Sequence, residues 1–237
     1  MKRLRKIGLG TLLLLLGGVL GSETAVSQPP YTIYLPLLNT PELGKNVLEN
    51  PSFEGNWYHP SGIPELQIPE GWQFTWQEGS NPLDPNPWND FVRPEVRVLT
   101  SAFLPKEEQD LFIWDGTQTL KVFKGFGAVA FTLKTNIYLN PGNHVFEIHV
   151  FPDLVVDYEN GNKIWAPDPY SGEVKLHVGN YASPWMLPNF GEKNRFRHHF
   201  TVYRPTTVTI GASFRGRWAI RNNGWFMDDW GVYEVDW

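Results

Sequence analysis

The sequence contains no cysteine, which removes three kinds of chemistry at once. The chain can form no disulfide cross-links, no cysteine-ligated zinc site and no thiol nucleophile. Exported domains often rely on disulfides, but chiefly when they are too small to build a core. About 200 residues can bury a sizeable core without cross-links, so the absence of cysteine is compatible with export.

Long apolar runs are also missing, apart from one near the start of the chain. A basic segment at 2–6 precedes an apolar run over 7–20, and Ala25 and Ser27 form a small-x-small cleavage pattern. This run is shorter than the ~20 residues that a membrane-spanning helix needs. We predict a signal peptide over 1–27, with an uncleaved anchor as the alternative. We expect a secreted or extracytoplasmic protein with no membrane span in the mature chain.

Basic side chains are too few for a protein that binds nucleic acid. The chain holds 20 Lys and Arg against 25 Asp and Glu. The predicted signal peptide contains four of the basic residues and one of the acidic ones, so its removal changes the formal net charge from −5 to −8. Nucleic acid and anionic lipid both require a basic face. We therefore expect neither as a partner.

No long segment shows the 3.6-residue period of a helix, and the pattern beyond the signal peptide is all-β. Short apolar runs recur between Gly, Pro, Asn and Asp residues. Alternation is clearest over 129–139, and the turn residues at 140–143 predict a hairpin with 144–151. We predict a linker over 28–45 and a single β-sandwich of two packed antiparallel sheets over 46–237.

Short motifs stand near both ends of the predicted sandwich. The letters NPSFE occupy 50–54 and PEGW occupies 69–72, while FMDDWGV lies at 226–232 near the C-terminal end. Between them, 115–121 matches a strand entry and 139–142 a turn. In this order the motifs resemble jelly-roll carbohydrate-binding modules of cenC type, the galactose-binding-like sandwiches that accompany bacterial glycosidases. The resemblance implies a jelly-roll fold and carbohydrate binding.

The same resemblance implies a structural calcium ion. In the family, the residues at the positions of Glu54 and Asp228 contribute to such a site, and calcium prefers carboxylate and carbonyl oxygens. On a regular strand Asp228 shares its side with Trp230 and Val232, which predicts a buried carboxylate, while Asp229 faces solvent. A buried carboxylate must be paired, hydrogen-bonded or bound to metal. A hydrogen-bonded Asp228 without metal is the alternative.

Aromatic residues are in excess, at 15% of the chain with 11 tryptophans. Each buried indole needs a partner for its N–H, so we expect some of these rings at a surface that binds a flat ligand. Two Pro-rich stretches that contain tryptophan, 80–89 and 153–171, are predicted to be long loops, and such loops often carry function. Trp72, Trp218 and Trp230 belong to strand patterns and are predicted to be core.

The predicted ligand contacts are loop aromatics and the polar residues beside them. Arg93 and Glu95 lie two apart on a predicted strand, either as a surface ion pair or as a polar pair that lines a cleft. Tyr170 is predicted to extend a platform with Trp165. The full set of predicted ligand-binding residues is Trp88, Asn89, Arg93, Glu95, Trp165, Tyr170 and Trp185.

Catalytic motifs are missing from the sequence. It has no G-x-S-x-G nucleophile elbow, no H-E-x-x-H metal motif and no Gly-rich phosphate loop. Glycosidases need two carboxylates across a cleft, and the acids between 153 and 173 are interpreted as solvated. We predict an exported, non-catalytic module whose partner is a polysaccharide or cell-surface glycan. The alternatives are an adhesion module that contacts protein or cell-wall material, and a glycan-active enzyme.

Overall fold

The computed structural model describes residues 43–236. Residues 1–42, which hold the predicted signal peptide and most of the predicted linker, and Trp237 lie outside the described part. None of the helices within 43–236 is long and apolar enough to cross a membrane. The elements are β1 (Leu43–Asn46), β2 (Trp57–Tyr58), β3 (Ile68–Pro69), β4 (Gln73–Trp76), β5 (Glu95–Thr100), α1 (Lys106–Phe112), β6 (Gln118–Lys124), β7 (Ala130–Leu139), β8 (Gly142–Glu159), β9 (Asn162–Trp165), β10 (Glu173–Val178), β11 (Tyr181–Ala182), β12 (Asn194–Val202), β13 (Thr206–Arg215) and β14 (Asn222–Val235), with short 3-10 turns at Pro60–Gly62, Pro87–Asn89, Ser101–Phe103 and Pro169–Ser171.

Most of these strands build two antiparallel sheets, and β2 and β3 form a separate antiparallel pair. The seven-stranded sheet has the order β12-β8-β14-β6-β5, with β1 added to β14 and β9 added to β8. The five-stranded sheet has the order β11-β10-β13-β7-β4. Strands β6, β7 and β8 alternate between the sheets, as in a jelly roll. The predicted hairpin of 129–139 with 144–151 is therefore wrong, because β7 pairs with β4 and β13, whereas β8 pairs with β9, β12 and β14 in the other sheet. The predicted all-β sandwich is confirmed, and the sheet also includes 43–45 from the end of the predicted linker, because β1 pairs with β14.

Side chains alternate between the core and the outer surface along the paired strands. On β7, Phe131, Leu133 and Ile137 are buried in the main core, whereas Thr132 and Lys134 take the outward positions. This is the division that the sequence alternation over β7 predicts. The core between the sheets and the polar outer face of the five-stranded sheet therefore come from the same strands.

An aromatic cluster fills the part of the core where the first and last sequence motifs meet. The rings of Phe53, Trp72 and Trp230 lie in mutual contact, with centroids 5.3 to 6.0 Å apart. Trp230 donates its Nε1–H to the carbonyl of His149 at 3.1 Å, and Trp72 donates to the carbonyl of Asn50 at 3.2 Å. Both buried indoles thus have the partner that their N–H requires, and their predicted place in the core is confirmed.

Other tryptophans have different surroundings. Trp225 is fully buried in the main core, where it donates its Nε1–H to the side chain of Asn223 at 3.1 Å. Trp218, predicted to be core, is only half-buried, and its Nε1 lies 3.0 Å from the carboxylate of Asp168. Trp218 does pack against the main core, so the prediction is confirmed in part; the ring is not fully buried because it lies in the connection between β13 and β14.

The stretch 153–171, predicted to be a long loop, is largely strand. β8 continues to Glu159 and returns through β9. Asn160 and Gly161 have φ angles of 51° and 83°, and a two-residue type I′ turn requires positive values at both positions. The Asn-Gly pair was therefore the hairpin signal in the sequence. The prediction was wrong because Pro152 lies within β8, opposite Trp225, and does not end the strand.

The closing strand β14 contains a bulge that changes the direction of Asp228. Pairing with β8 shifts just after Asp228, and Asp229 has a φ angle of 47°. An inserted residue reverses the alternation of a strand. Trp230 therefore returns to the core, while Asp228 lies on the outer side of the sheet with Phe226. The predicted common side for Asp228, Trp230 and Val232 is wrong, although Asp228 is fully buried as predicted.

A second apolar cluster covers part of the outer face of the seven-stranded sheet. Phe112 of α1 packs on Phe226, with ring centroids 3.7 Å apart, and on Phe151 at 5.0 Å. Trp165 of β9 adds to the cluster, 6.3 Å from Phe151. This cluster closes that part of the face to a ligand, whereas the outer face of the five-stranded sheet is polar.

We expect Trp230→Ala to lower the free energy of unfolding by about 3–5 kcal/mol, because a fully buried indole leaves a cavity. Trp88→Ala is the matched control, since Trp88 is 86% exposed. We expect that variant to stay within about 0.5 kcal/mol of the wild type. Denaturant titration followed by circular dichroism measures both values. Equal losses in the two variants would contradict the place of Trp230 in the core.

Candidate ligand-binding cleft

Polar side chains cover the outer face of the five-stranded sheet in rows that the strand register sets. In one row Lys175 of β10 lies opposite Ser213 of β13, which lies opposite Thr132 of β7 and then Thr75 of β4. The adjacent row on this face consists of His177, Gly211, Lys134 and Gln73. Because alternate residues share a face, four strands present their polar groups on one surface.

Three of these side chains form a hydrogen-bonded chain across the strands. The hydroxyl oxygen of Ser213 lies 2.7 Å from Oγ1 of Thr132 and 2.7 Å from Nε2 of His177. A hydroxyl donates one hydrogen bond and accepts two, so Ser213 can connect the imidazole to the threonine. The hydroxyls keep capacity for a further hydrogen bond to a ligand or water.

Two adjoining depressions lie over these rows and share Thr75, Thr132 and Ser213. The first has a volume of about 190 Å³, and its walls include Trp76, Pro82, Phe91 and Trp185. The second has a volume of about 290 Å³ and is bordered by Lys134, His177, Gly179 and Thr209. Ligand sites combine apolar walls with a few polar groups in this way. We call the two depressions together the cleft.

Trp185 stands at the apolar end of the cleft and is held by two cations. The guanidinium carbon of Arg215 lies 3.9 Å from its ring centroid, and Nζ of Lys175 lies 4.5 Å away. Arg215 is itself bound by the buried carboxylate of Glu173, 2.8 Å from Nε. The backbone of Met186 pairs with β10, which attaches the loop of Trp185 to the edge of the sheet. These contacts fix the position of the indole.

The imidazole of His177 on the cleft floor is affected by burial and by two nearby lysines. Burial, followed by the charges of Lys175 and Lys134, lowers the pKa of His177 below its ordinary value of 6.5. The imidazole is therefore neutral at pH 7, which leaves one of its ring nitrogens as a hydrogen-bond acceptor. Lys134 lies in the same row as His177 and Lys175 lies in the adjacent row, so the charges of both lysines act on the imidazole.

Of the predicted ligand-binding residues, Trp185 is the one that lines the cleft. Trp88 is 86% exposed, on a loop that returns to the cleft wall at Phe91. Asn89 has a structural role instead, because its side-chain oxygen accepts a hydrogen bond from the backbone N–H of Ala219 at 2.8 Å. Asn89 thus fastens the loop of Trp88 to the connection between β13 and β14.

Arg93 and Glu95 lie at the edge of the other sheet. Within the described part of the chain, Glu95 pairs with Arg97 at 3.3 Å and with Lys124 at 3.7 Å. Arg93 is exposed just before β5. The predicted Arg93–Glu95 ion pair is therefore wrong, because Arg97 on the same strand and Lys124 on β6 take the carboxylate.

Trp165 and Tyr170, predicted to form one platform, have separate partners. Trp165 packs on Phe151 outside the seven-stranded sheet, because β9 folds back on β8. Tyr170 lies in the next connection, where its ring is 4.7 Å from the guanidinium of Arg217. The structure thus brings Trp165 to a different face of the sandwich from Trp185.

Reasoning from the sequence missed the polar floor of the cleft. Its members are Thr75, Thr132, Lys134, His177 and Ser213. Single polar residues at alternate strand positions are typical of any solvent-facing strand, so none of them is distinctive by itself. Their convergence depends on the register of strands that are far apart in the sequence. The alternation of β7 was the available signal, since it places two of them on the outward side.

Asp228 is buried beneath the segment that precedes β6. Its carboxylate accepts hydrogen bonds from the backbone N–H groups of Trp114 at 2.6 Å, Asp115 at 3.1 Å and Asp229 at 2.8 Å. Burial raises the pKa of Asp228 to about 7, against the opposing effect of these three donors. The side chain therefore ties the strand β14 to the segment 114–118.

Glu54 fastens the other end of the same segment. Its Oε1 accepts hydrogen bonds from the backbone N–H groups of Thr117 at 2.5 Å and Gln118 at 2.6 Å. Gly116 has a φ angle of 67°, and a Cβ there would overlap the Glu54 carboxylate. The two predicted metal ligands thus contact one segment, and both bind it through hydrogen bonds.

The donors around Glu54 and Asp228 do not fit a calcium ion. Calcium takes six to eight oxygen ligands, whereas these carboxylates receive N–H and O–H hydrogens from the 114–118 segment and from Asp229. Across residues 43–236 there is no group of three or more His, Asp or Glu side chains that could hold a metal. The contacts correspond to the hydrogen-bonded alternative, and bound calcium stays a prediction.

No protein-family profile matches the sequence, and no protein of curated function matches it significantly. Solved structures with a similar fold include several carbohydrate-binding modules. One is a CBM61 module in complex with β-1,4-galactotriose, with a TM-score of 0.48 and 14% identity over 81% of this chain and 99% of that chain. Another is a CBM22 xylan-binding domain from Paenibacillus barcinonensis, with a TM-score of 0.38 and 12% identity over 83% and 98%.

The enzymatically active domain of a tailspike protein from bacteriophage CBA120 is also similar in fold. Its TM-score is 0.42 and its identity 10%, over 81% of this chain. This chain spans 21% of that tailspike chain. At these identities the likeness concerns the fold alone.

We expect Asp228→Ala to lower the free energy of unfolding by about 1–3 kcal/mol, because it leaves buried backbone N–H groups without an acceptor. Asp110→Ala is the control, since Asp110 is an exposed carboxylate on α1. Thermal melts of both variants and of the wild type are recorded with calcium and with EDTA. The contacts of Asp228 predict no effect of EDTA. A melting temperature that falls with EDTA and recovers with calcium would instead establish the calcium site predicted from the motifs.

We expect the wild type to lose stability relative to His177→Gln as the pH falls from 7 to 5. The pKa of His177 is lowered in the folded state, so the unfolded chain takes up this proton first, below pH 6.5. The stability contribution of the neutral imidazole is therefore present above pH 6.5 and is lost on acidification. Urea titrations over this pH range measure the difference, and parallel curves for the two proteins would contradict it.

Proposed function

We propose that the protein is a non-catalytic module that binds polysaccharide in the cleft. The observation that carries this proposal is the make-up of the cleft, in which the indole of Trp185 stands beside a row of hydroxyls from Thr75, Thr132 and Ser213. Pyranose rings present flat C–H faces that can stack on an indole, much as bases stack on aromatic side chains. Their hydroxyls can exchange hydrogen bonds with the row on the floor.

The placement of the cleft also supports binding of a chain molecule. The floor consists of side chains on the regular strands β4, β7, β10 and β13, which the core holds in place from the other side. At the apolar end of the cleft, Trp185 and the loop that contains Trp88 add aromatic side chains. A rigid floor needs little ordering when the ligand arrives, which favours affinity.

The lining of the cleft supports binding rather than hydrolysis. Glycosidases use a pair of carboxylates that flank the scissile bond. The lining residues within the described chain include no carboxylate. Glu173, on the same strand as Lys175 and His177, is buried and bound to Arg215. A glycan-active enzyme is accordingly the less favoured proposal.

The cellular location belongs to the same proposal. The basic segment at 2–6, the apolar run at 7–20 and the cleavage pattern at Ala25 and Ser27 support export of the module. A polysaccharide ligand in a cell wall or on a cell surface is accessible to an exported protein. We therefore place the module outside the cytoplasm.

A second candidate function is contact with a protein, as in an adhesion module. A groove of about 490 Å³ is lined by aromatic side chains of β11, β12 and the turn that follows β12. The ring of Tyr181 stacks on His198 with centroids 4.0 Å apart, and Tyr203 is 89% exposed. Aromatic residues are enriched in protein interfaces, and this groove is separate from the cleft.

We expect Trp185→Ala to weaken polysaccharide binding about 5- to 150-fold, because a stacking contact is worth roughly 1–3 kcal/mol. The measurement is calorimetric titration with the oligosaccharide that binds the wild type best in a panel of soluble and insoluble polysaccharides. Phe103→Ala removes a 78% exposed ring beside α1 and is the control, with no expected change.

Two outcomes would contradict the assignment to the cleft. Equal affinities of the wild type and Trp185→Ala, with the fold intact by circular dichroism, would exclude a stacking role for Trp185. A loss of affinity in Trp165→Leu alone would place the ligand on the outer face of the seven-stranded sheet. Binding of protein but of no glycan would favour the adhesion module.

A further inference from the structure

The charges of the cleft define a class of glycan. We propose that the cleft prefers an acidic polysaccharide, whose sugar rings carry carboxylate or sulfate groups. The proposal rests on the proposed function and adds the chemical class of the ligand to it. The juxtaposition that carries it is that of Lys134 on the cleft floor with Lys175, which borders the cleft opposite Ser213 and contacts the ring of Trp185.

The register places the two lysines two strands apart on the same face of the five-stranded sheet. Lys175 is on β10, beside His177, whereas Lys134 is on β7, two strands away. Strands lie about 4.8 Å apart, so two strands correspond to roughly 10 Å, a spacing that spans one or two sugar rings. Gly211 lies between His177 and Lys134 and has no side chain. A ligand can therefore reach both ammonium groups from above the floor.

Neither lysine is neutralised by an acid of the described chain. Lys163, by contrast, is neutralised, since its Nζ lies 2.9 Å from the carboxylate of Asp153. Lys175 instead contacts the ring of Trp185, and no carboxylate lies within 4.0 Å of Lys134 or Lys175 among residues 43–236. Half-buried cations in a polar cleft without a counter-ion are available to an anionic ligand.

The local charge is opposite to that of the whole protein. The chain carries a formal net charge of −5, so its overall field repels an acidic polymer. On the cleft face Arg215 is balanced by Glu173, which leaves Lys134 and Lys175 in excess. The effect of both lysines on the pKa of His177 is in the direction that such an excess requires.

An ammonium group suits either kind of acidic sugar. Lysine donates up to three hydrogen bonds and acts as a point charge toward carboxylate or sulfate. The hydroxyl row and Trp185 bind the ring itself, so neutral sugars bind too, but more weakly. The inferred preference is therefore a difference in affinity between glycans that share a ring and differ in charge.

The test compares three oligosaccharides of similar length by calorimetric titration: a galacturonate oligomer, a sulfated galactan oligomer and a neutral galactan oligomer. We expect one of the acidic oligomers to bind about tenfold more tightly than the neutral one at low salt. Its identity distinguishes a carboxylate from a sulfate ligand. The preference should shrink at 0.5 M salt, because screening weakens ion pairs.

Charge removal gives the second arm of the test. We expect Lys134→Gln and Lys175→Gln each to weaken acidic-oligomer binding about threefold to tenfold. This loss of affinity lies between that of an exposed ion pair and that of a hydrogen bond to a charged group. The ratio of acidic to neutral affinity should fall toward one in the double variant. Lys106→Gln, at the exposed start of α1, is the matched control with an unchanged ratio.

The outcomes separate the two proposals. Equal, salt-independent affinities for acidic and neutral oligomers, both weakened by Trp185→Ala, would overturn the acidic preference and keep the polysaccharide-binding function. An unchanged preference in the double variant would also overturn the role of the lysines. Failure of every glycan to bind would overturn the proposed function itself.

Discussion

The bulge at Asp229 reverses the alternation of side chains along β14, so that residues before and after it contribute to opposite faces of the sheet. β14 pairs with β1, β6 and β8, so it lies at the centre of the seven-stranded sheet. Before the bulge, Asp228 points outward and binds the backbone of the 114–118 segment; after it, Trp230 enters the core and contacts Trp72. Without the change of side, either the buried carboxylate or the largest core ring would lie on the wrong face. The packing of the first and last motifs against each other depends on this one inserted residue.

The two outer faces of the sandwich have different chemistry. The seven-stranded sheet carries α1 and the β9 hairpin, whose aromatic rings cover part of its outer surface. The five-stranded sheet has no helix packed on it within the described residues, and it presents hydroxyls, an imidazole and two unpaired ammonium groups. A ligand therefore meets a polar, positively charged surface on a protein that is acidic overall. The electrostatic preference that we propose for the cleft follows from the position of α1 and β9, which cover the other sheet.

The sequence predicted the fold better than it predicted the cleft, and the reason is the range of the interactions concerned. The alternation of β7 is local, so the strand and the sandwich class could be recognised from consecutive residues, whereas the turn after β7 does not reveal that β8 joins the other sheet. The direction of Asp228 depends on a bulge that leaves no composition signal beyond two adjacent aspartates. The meeting of Thr75, Thr132 and Ser213 depends on three pairings between distant strands, which no local pattern encodes. Trp185, predicted as a ligand contact because its indole stands in a Pro-rich loop, does line the cleft, and its role in binding stays a prediction.

The alternation of β7 and β13 has a consequence for how such a protein can change over time. Inward residues such as Leu133 and Ala212 maintain the fold, while their outward neighbours Lys134 and Ser213 meet the solvent. Because the two sets alternate along one chain, a replacement in the outward set removes little from the core. Selection can then change the ligand preference of the outer face one residue at a time while the protein stays folded. The same outward positions can be randomised together in a designed library.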